Sequence, residues 1–178
     1  MRINCRALLL ALALSVLAQP LRADDWRLVW SDEFDYKGPP DPAKWDYEEG
    51  FVRNNEAQFY TRGRLENARV EDGMLIIEGR REHFANPKYS PDATRGSASR
   101  QFADYTAASL ITRNKVDWTY GRVEVRAKLP QGRGVWPAIW MLGSNTRSVG
   151  WPAGGEIDNM EFGGPTPEYV HATGHFQK

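Results

Sequence analysis

Arg122-Val123-Glu124-Val125-Arg126-Ala127-Lys128-Leu129 alternates charged and apolar residues without a break. Successive side chains on a strand point to opposite faces, so this stretch has one wet face and one face for a core, whereas a helix would scatter its valines around the axis. The spacing predicts a strand over 122–129 in a sheet covered on one side. Working outward, Met74 to Glu78 is strand-like, and Asp72-Gly73 between it and Ala68-Arg69-Val70 predicts a hairpin, because a tight turn needs the positive φ that Gly supplies. Further strands are predicted over Trp26 to Ser31, Ala57 to Thr61, Ala107 to Thr112, Val135 to Leu142, Glu156 to Phe162 and Tyr169 to Phe176. Asn86 to Asp104, rich in Ser, Ala, Asp and Arg, reads as a long surface loop. Many short strands between Gly and Pro punctuation, with no long helical period, define an all-β fold: an antiparallel β-sandwich or barrel.

The 178 residues match the scale of one domain, and 41% hydrophobic with 26% charged residues supplies a core and excludes global disorder. Net charge is zero and like charges do not cluster, so nucleic acid is not an expected partner. Residues 1–23 read as a secretory signal peptide: Arg2 and Arg6 come first, Ala7 to Leu17 is apolar but too short to span a bilayer, and Ala18 and Ala23 offer cleavage points. Cleavage after Ala23 removes three arginines and no acid and leaves 24–178 as the mature domain, with charge −3. Secretion or a periplasmic location is expected, with no membrane association after cleavage and a monomeric state. The single Cys5 lies in the removed segment, so a disulfide framework, a thiolate nucleophile and a Cys-based zinc site are all excluded from the mature chain.

The chemistry concentrates in Gly154-Gly155-Glu156-Ile157-Asp158-Asn159-Met160-Glu161-Phe162. Glu156 and Asp158 share a strand face, and Glu161 has the wrong parity unless one residue is inserted. A β-bulge at Asn159 or Met160 would bring all three carboxylates to one face. Without it, Glu161 would enter the apolar layer as a buried, unpaired acid, at a cost of several kcal/mol. Crowded carboxylates push one another's protonation apart, as an acid and a nucleophile require. Double displacement at a glycosidic bond needs two carboxyls about 5 to 5.5 Å apart, within reach of same-face neighbours. A solvated acidic face or a cation site would leave the same triplet. Upstream, Trp136 and Trp140 share parity in Gly134-Val-Trp-Pro-Ala-Ile-Trp-Met-Leu142. They form a flat apolar pair suited to sugar rings or to a core, and Trp151 and Trp118 could extend it. His171 and His175 also share parity, but no third ligand sits at a recognisable spacing. His83 reads as a surface residue.

Glu-Ile-Asp-x-Met-Glu after Trp-Pro-Ala-Ile-Trp-Met-Leu resembles glycoside hydrolase family 16 in its laminarinase branch. Asn54-Asn55-Glu56-x-Gln-Phe-Tyr-Thr and Tyr120-Gly-Arg-Val-Glu-Val-Arg-Ala-Lys128 occur earlier, in the family's order. The resemblance runs from Trp26 to the last residue. It implies a concanavalin A-like jelly roll with a concave cleft, and endo-hydrolysis of β-1,3-glucosidic bonds in laminarin-type β-glucan with retention of configuration. Residue by residue, Glu156 corresponds to the nucleophile, Glu161 to the acid/base and Asp158 to the residue between them. Asn55, Trp136, Trp140, Trp151 and His175 correspond to substrate-binding positions. No cofactor is implied for catalysis. A structural calcium is implied at Glu33 and Gly73. Family members continue well beyond a segment like Val170 to His175, so the last strands of the sandwich are expected to be missing from this chain. Many relatives carry Arg where this chain has Ser109. Mixed-linkage glucan, a galactan, or a non-hydrolytic glucan-binding module remain the alternative readings.

Overall fold

The computed structural model describes residues 26–166 and 168–178, so the predicted signal peptide lies outside the described residues. Two units emerge, the first ending at Glu33 and the second spanning Phe34–Lys178. In the first unit, residues 26–31 belong to no strand, contrary to the expectation for that stretch. An apolar run without a ladder partner stays extended coil, since a strand exists only through its hydrogen-bonded neighbour.

The second unit is all-β apart from one helical turn. Its strands are β1 (Asp46–Tyr47), β2 (Gln58–Tyr60), β3 (Ala68–Glu71), β4 (Met74–Ile77), β5 (Arg80–Ala85), β6 (Phe102–Ala107), β7 (Leu110–Ile111), β8 (Ala138–Leu142), β9 (Glu156–Glu161) and β10 (His171–His175), with α1 (Thr146–Val149) between β8 and β9. They form four sheets, ordered β1-β7, β3-β4, β2-β6-β5 and β10-β9-β8. Every ladder is antiparallel except β2 on β6, which runs parallel with Gln58 opposite Tyr105. The β3–β4 hairpin turns at Asp72 (φ +53°) and Gly73 (φ +74°), two consecutive left-handed residues as a type I′ turn demands.

The core lies beneath β2, β3 and β6. Phe59 is 1% exposed and packs edge-on against Phe51 (5.6 Å) and tilted against Phe84 (5.3 Å). Burying such a ring contributes about 1.5–3 kcal/mol. The buried polar centre is Asn67. Its Nδ2 donates to the Glu78 carbonyl (3.0 Å) and to Thr106 Oγ1 (2.9 Å), and its Oδ1 accepts from Thr61 Oγ1 (2.9 Å). Beside it, Arg64 grips Glu82 with both terminal nitrogens, at 2.5 and 3.0 Å, and Thr106 Oγ1 donates to the same carboxylate. These donors hold the Glu82 carboxyl at about 2.

Three further expectations are corrected. The 122–129 stretch is extended but joins no ladder among the described residues. Its parity is as read: Val123, Val125, Ala127 and Leu129 line an open groove of about 320 Å³ together with Ile139, Asn159 and Met160. Alternation therefore sorted the faces, while pairing needed a neighbouring strand that no described residue provides. The expected loop over 86–104 ends at Gln101, because β6 begins at Phe102; Asn86 is itself buried, donating to the Ser97 and Arg100 carbonyls at 2.7 Å. The run 107–112 is split between β6 and β7.

Candidate active site

β9 is the middle strand of its sheet, and it carries one residue too many for both neighbours. On β8, Trp140 faces Asp158 but Ile139 faces Met160; on β10, Thr173 faces Asp158 and His171 faces Glu161. Asn159 is the extra residue, at a position the parity argument required. Directly paired residues share a face. Leu142, Trp140 and Ala138 of β8 therefore stand on the same face as Glu156, Asp158 and Glu161, and His175, Thr173 and His171 of β10 complete it. Ile157 and Met160 take the other face, where Met160 meets the apolar groove.

The connection into β9 is held tight by glycines. A Cβ on Gly143 would lie 2.0 Å from the Gly154 carbonyl oxygen, and one on Gly154 would lie 2.6 Å from Thr146 Cα, so neither position admits a side chain. That close approach, around α1, delivers Trp151 back over the start of β9. Trp151 follows Gly150 and precedes a cis peptide bond to Pro152.

Each carboxylate of the row has its own partner. Trp151 Nε1 donates to Glu156 Oε2 at 2.9 Å, and Trp136 Nε1 donates to Glu161 Oε1 at 3.1 Å. Asp158, only 4% exposed, faces His175 Nε2 at 3.2 Å, and the His175 ring lies 5.7 Å from that of Trp151. Glu156 and Glu161 keep an open side, and the two tryptophans bonded to them are mostly exposed, at 61% and 64%. The result is two solvent-facing acids, each oriented by an indole N–H, with a buried, histidine-backed aspartate between them. Polar atoms of Glu156, Asp158 and His175 all lie within 4.8 Å of one another. Among the described residues this is the group that could hold a metal, but Asp158 already faces His175 and Glu156 already accepts from Trp151.

Most of the predicted residues converge here: Glu156, Asp158, Glu161, Trp136, Trp140, Trp151 and His175. His171 is exposed, with its ring 6.5 Å from Tyr169, and His83 stacks on Phe102 at 4.3 Å. Trp118 is 40% exposed in the segment after β7. Asn55 is exposed in a turn where Asn54 and Asn55 are both left-handed (φ +51° and +52°), which Asn tolerates better than most residues. Gly73 is exposed in the β3–β4 turn, and Glu33 is an exposed residue of the first unit.

Sequence reasoning missed Arg53. Its guanidinium lies over Trp140, 5.1 Å from the ring centroid, and over Tyr60 at 5.6 Å, while it pairs with Glu48. Glu48 also accepts from Ser109 Oγ at 2.7 Å. A charged residue immediately before Asn54-Asn55 was the available signal.

An all-β fold with three carboxylates in a row on one sheet face is what known proteins can be compared with. The model of the glycosyl hydrolases family 16 matches residues 59–178. A beta-glucanase from Rhodothermus marinus is 51% identical over 158 residues, covering 86% of this chain and 50% of that protein. A glucan endo-1,3-beta-glucosidase from Cryptopygus antarcticus is 39% identical, over 85% of this chain and 51% of that protein. The solved structure of the R. marinus laminarinase superposes with a TM-score of 0.72 at 52% identity, over 85% of this chain and 55% of that one. The chain belongs to glycosyl hydrolases family 16 and has its all-β jelly-roll fold. It spans about half the length of these two relatives.

Proposed function

We propose that the protein is an exported endo-β-1,3-glucanase acting on laminarin-type β-glucan with retention of configuration. The observation that carries this reading is the single-face row Glu156, Asp158, Glu161, produced by the Asn159 bulge and flanked by exposed indoles. The laminarinase and endo-1,3-glucosidase names of the relatives support the choice of linkage. Glu156 attacks the anomeric carbon as the glycosidic C–O bond breaks, and Glu161 gives its proton to the leaving oxygen. Water then attacks the same carbon, Glu161 takes its proton, and the bond to Glu156 breaks. Buried Asp158, backed by His175, lies between the two acids and steadies the charge that moves between them. The Trp151 and Trp136 N–H groups hold the two acids in orientation, and the indole faces offer apolar surface to sugar rings.

Hydrolysis by this route needs no metal. Binding of a structural calcium belongs to the proposal, since carboxylates and main-chain carbonyls are the hard oxygen donors calcium takes. A fall in melting temperature on chelation would support it. Export rests on the leader-like character of residues 1–23.

In the full-length protein, Glu156→Gln should abolish release of reducing sugar from laminarin while leaving the far-UV spectrum unchanged. Near-normal turnover by that variant would overturn the assignment. A product panel on β-1,3-glucan, mixed-linkage glucan and galactan tests the linkage, which loops and pocket shape set rather than the acids.

A further inference from the structure

The Arg53 guanidinium is held beside the acid row by Glu48, five residues earlier in the chain, and by Trp140 of β8. It comes from the turn before β2, Glu48 directly follows β1, and Trp140 is in the middle of β8, where it faces Asp158 across the ladder. The Glu48 carboxylate binds one terminal nitrogen of Arg53 and also accepts from Ser109 Oγ at 2.7 Å, so its position is set from two sides. The guanidinium carbon lies 5.1 Å from the Trp140 ring centroid and 5.6 Å from that of Tyr60, and the side chain keeps 23% exposure. A guanidinium placed over an indole face is a preorganised planar fork that loses little when a hydrogen bond forms, which an ammonium group cannot reproduce. Although burial works against its charge, the neighbouring Glu48 keeps Arg53 more firmly protonated than an ordinary arginine.

From this arrangement we propose that Arg53 is a substrate-binding residue of the cleft. Its free N–H edge donates to hydroxyls of the sugar unit lying beside Trp140, and Glu48 and Ser109 act as positioning residues behind it. Glu48 already balances the positive charge, so the matching ligand is an uncharged, hydroxyl-rich ring rather than a sulfated or carboxylated one. Tyr60 adds a second wall. Its hydroxyl is committed to Glu56 Oε2 at 2.9 Å, so toward Arg53 it offers its ring. The inference deepens the proposed glucanase reading and rests on it.

The test is steady-state kinetics on laminarin with the full-length protein and its Arg53→Met, Arg53→Lys and Ser109→Ala variants, each checked by circular dichroism. Loss of hydrogen bonds from a charged donor should raise KM by about tenfold or more for Arg53→Met, with kcat within about threefold of wild type. Arg53→Lys should fail to restore KM although it keeps the charge beside Glu48, and Ser109→Ala should raise KM in the same direction by a smaller factor. If Arg53→Met does not fold, the Arg53→Lys result decides. A KM within twofold of wild type in Arg53→Met, or full rescue by Lys, overturns the inference while an active wild type leaves the glucanase reading standing. A wild type that releases no sugar from laminarin overturns both.

Discussion

Nε2 of His175 lies 3.2 Å from Oδ2 of Asp158, the buried member of an otherwise solvent-facing acid row. The two residues are diagonal neighbours across the β9–β10 ladder, so the pair is built into the sheet rather than borrowed from a loop. Removing the imidazole leaves a buried carboxylate without its partner at the centre of the site. His175→Ala should lower kcat on laminarin by about tenfold or more, the usual size of a lost contact to a charged group. His175→Gln, which restores a donor, should fall between the two. Steady-state rates for the three proteins check this.

The indole donor to Glu156 is separable from the fold, because Trp151 is mostly exposed. Trp151→Phe keeps an apolar ring and removes only the N–H. Its melting temperature should match the wild type, while kcat falls about threefold to tenfold. Equal rates for the two proteins would show that Glu156 is oriented without that bond.

Asn159 is absorbed by the bulge, so its place in the site is a matter of residue count and not of its chemistry. Its side chain is on the face opposite the acids, lining the groove with Met160. Asn159→Ala should retain near-normal hydrolysis. Inserting one alanine after Asn159 moves Glu161 one position further along β9 and turns it toward the apolar side, so turnover should disappear. Activity assays on the two variants separate residue count from residue type.

Acid should weaken the core around Arg64. Glu82 is held at about 2 in the folded protein, well below the roughly 4.3 of a free glutamate. Its contribution is present in full above the unfolded value and is lost as pH falls from there toward 2. Asp46 and Glu78, both lowered chiefly by hydrogen bonds from arginines, act in the same direction. The melting temperature should drop between pH 5 and 2, and Glu82→Gln should flatten that drop while lowering stability at neutral pH. Thermal melts across the range decide it.

How much was legible varies by element. Parity, applied to Glu156, Asp158 and Glu161, located the bulge to within one residue because period 2 admits no compromise. The hairpin at Asp72-Gly73 was legible for a related reason: only certain residues tolerate its φ values. Alternation over 122–129 sorted faces but could not supply a partner strand, which is a property of another segment. β5, Arg80–Ala85, went unseen because its residues are mostly exposed and polar, so no apolar period marks it. Arg53 and Glu48 are five residues apart, but Ser109 and Trp140 are far along the chain from both, and their meeting is created by packing alone.

The amide of Asn67 has a consequence for how the molecule comes apart. It is bonded at once to Thr61 next to β2, to Thr106 of β6, and to the Glu78 carbonyl at the end of β4. Neither the β3–β4 hairpin nor the β2-β6-β5 sheet can peel away without stripping that buried group of its partners and leaving them dry. The two sheets are therefore coupled into one cooperative opening unit, and amide protons on β3 and β6 should exchange with solvent together.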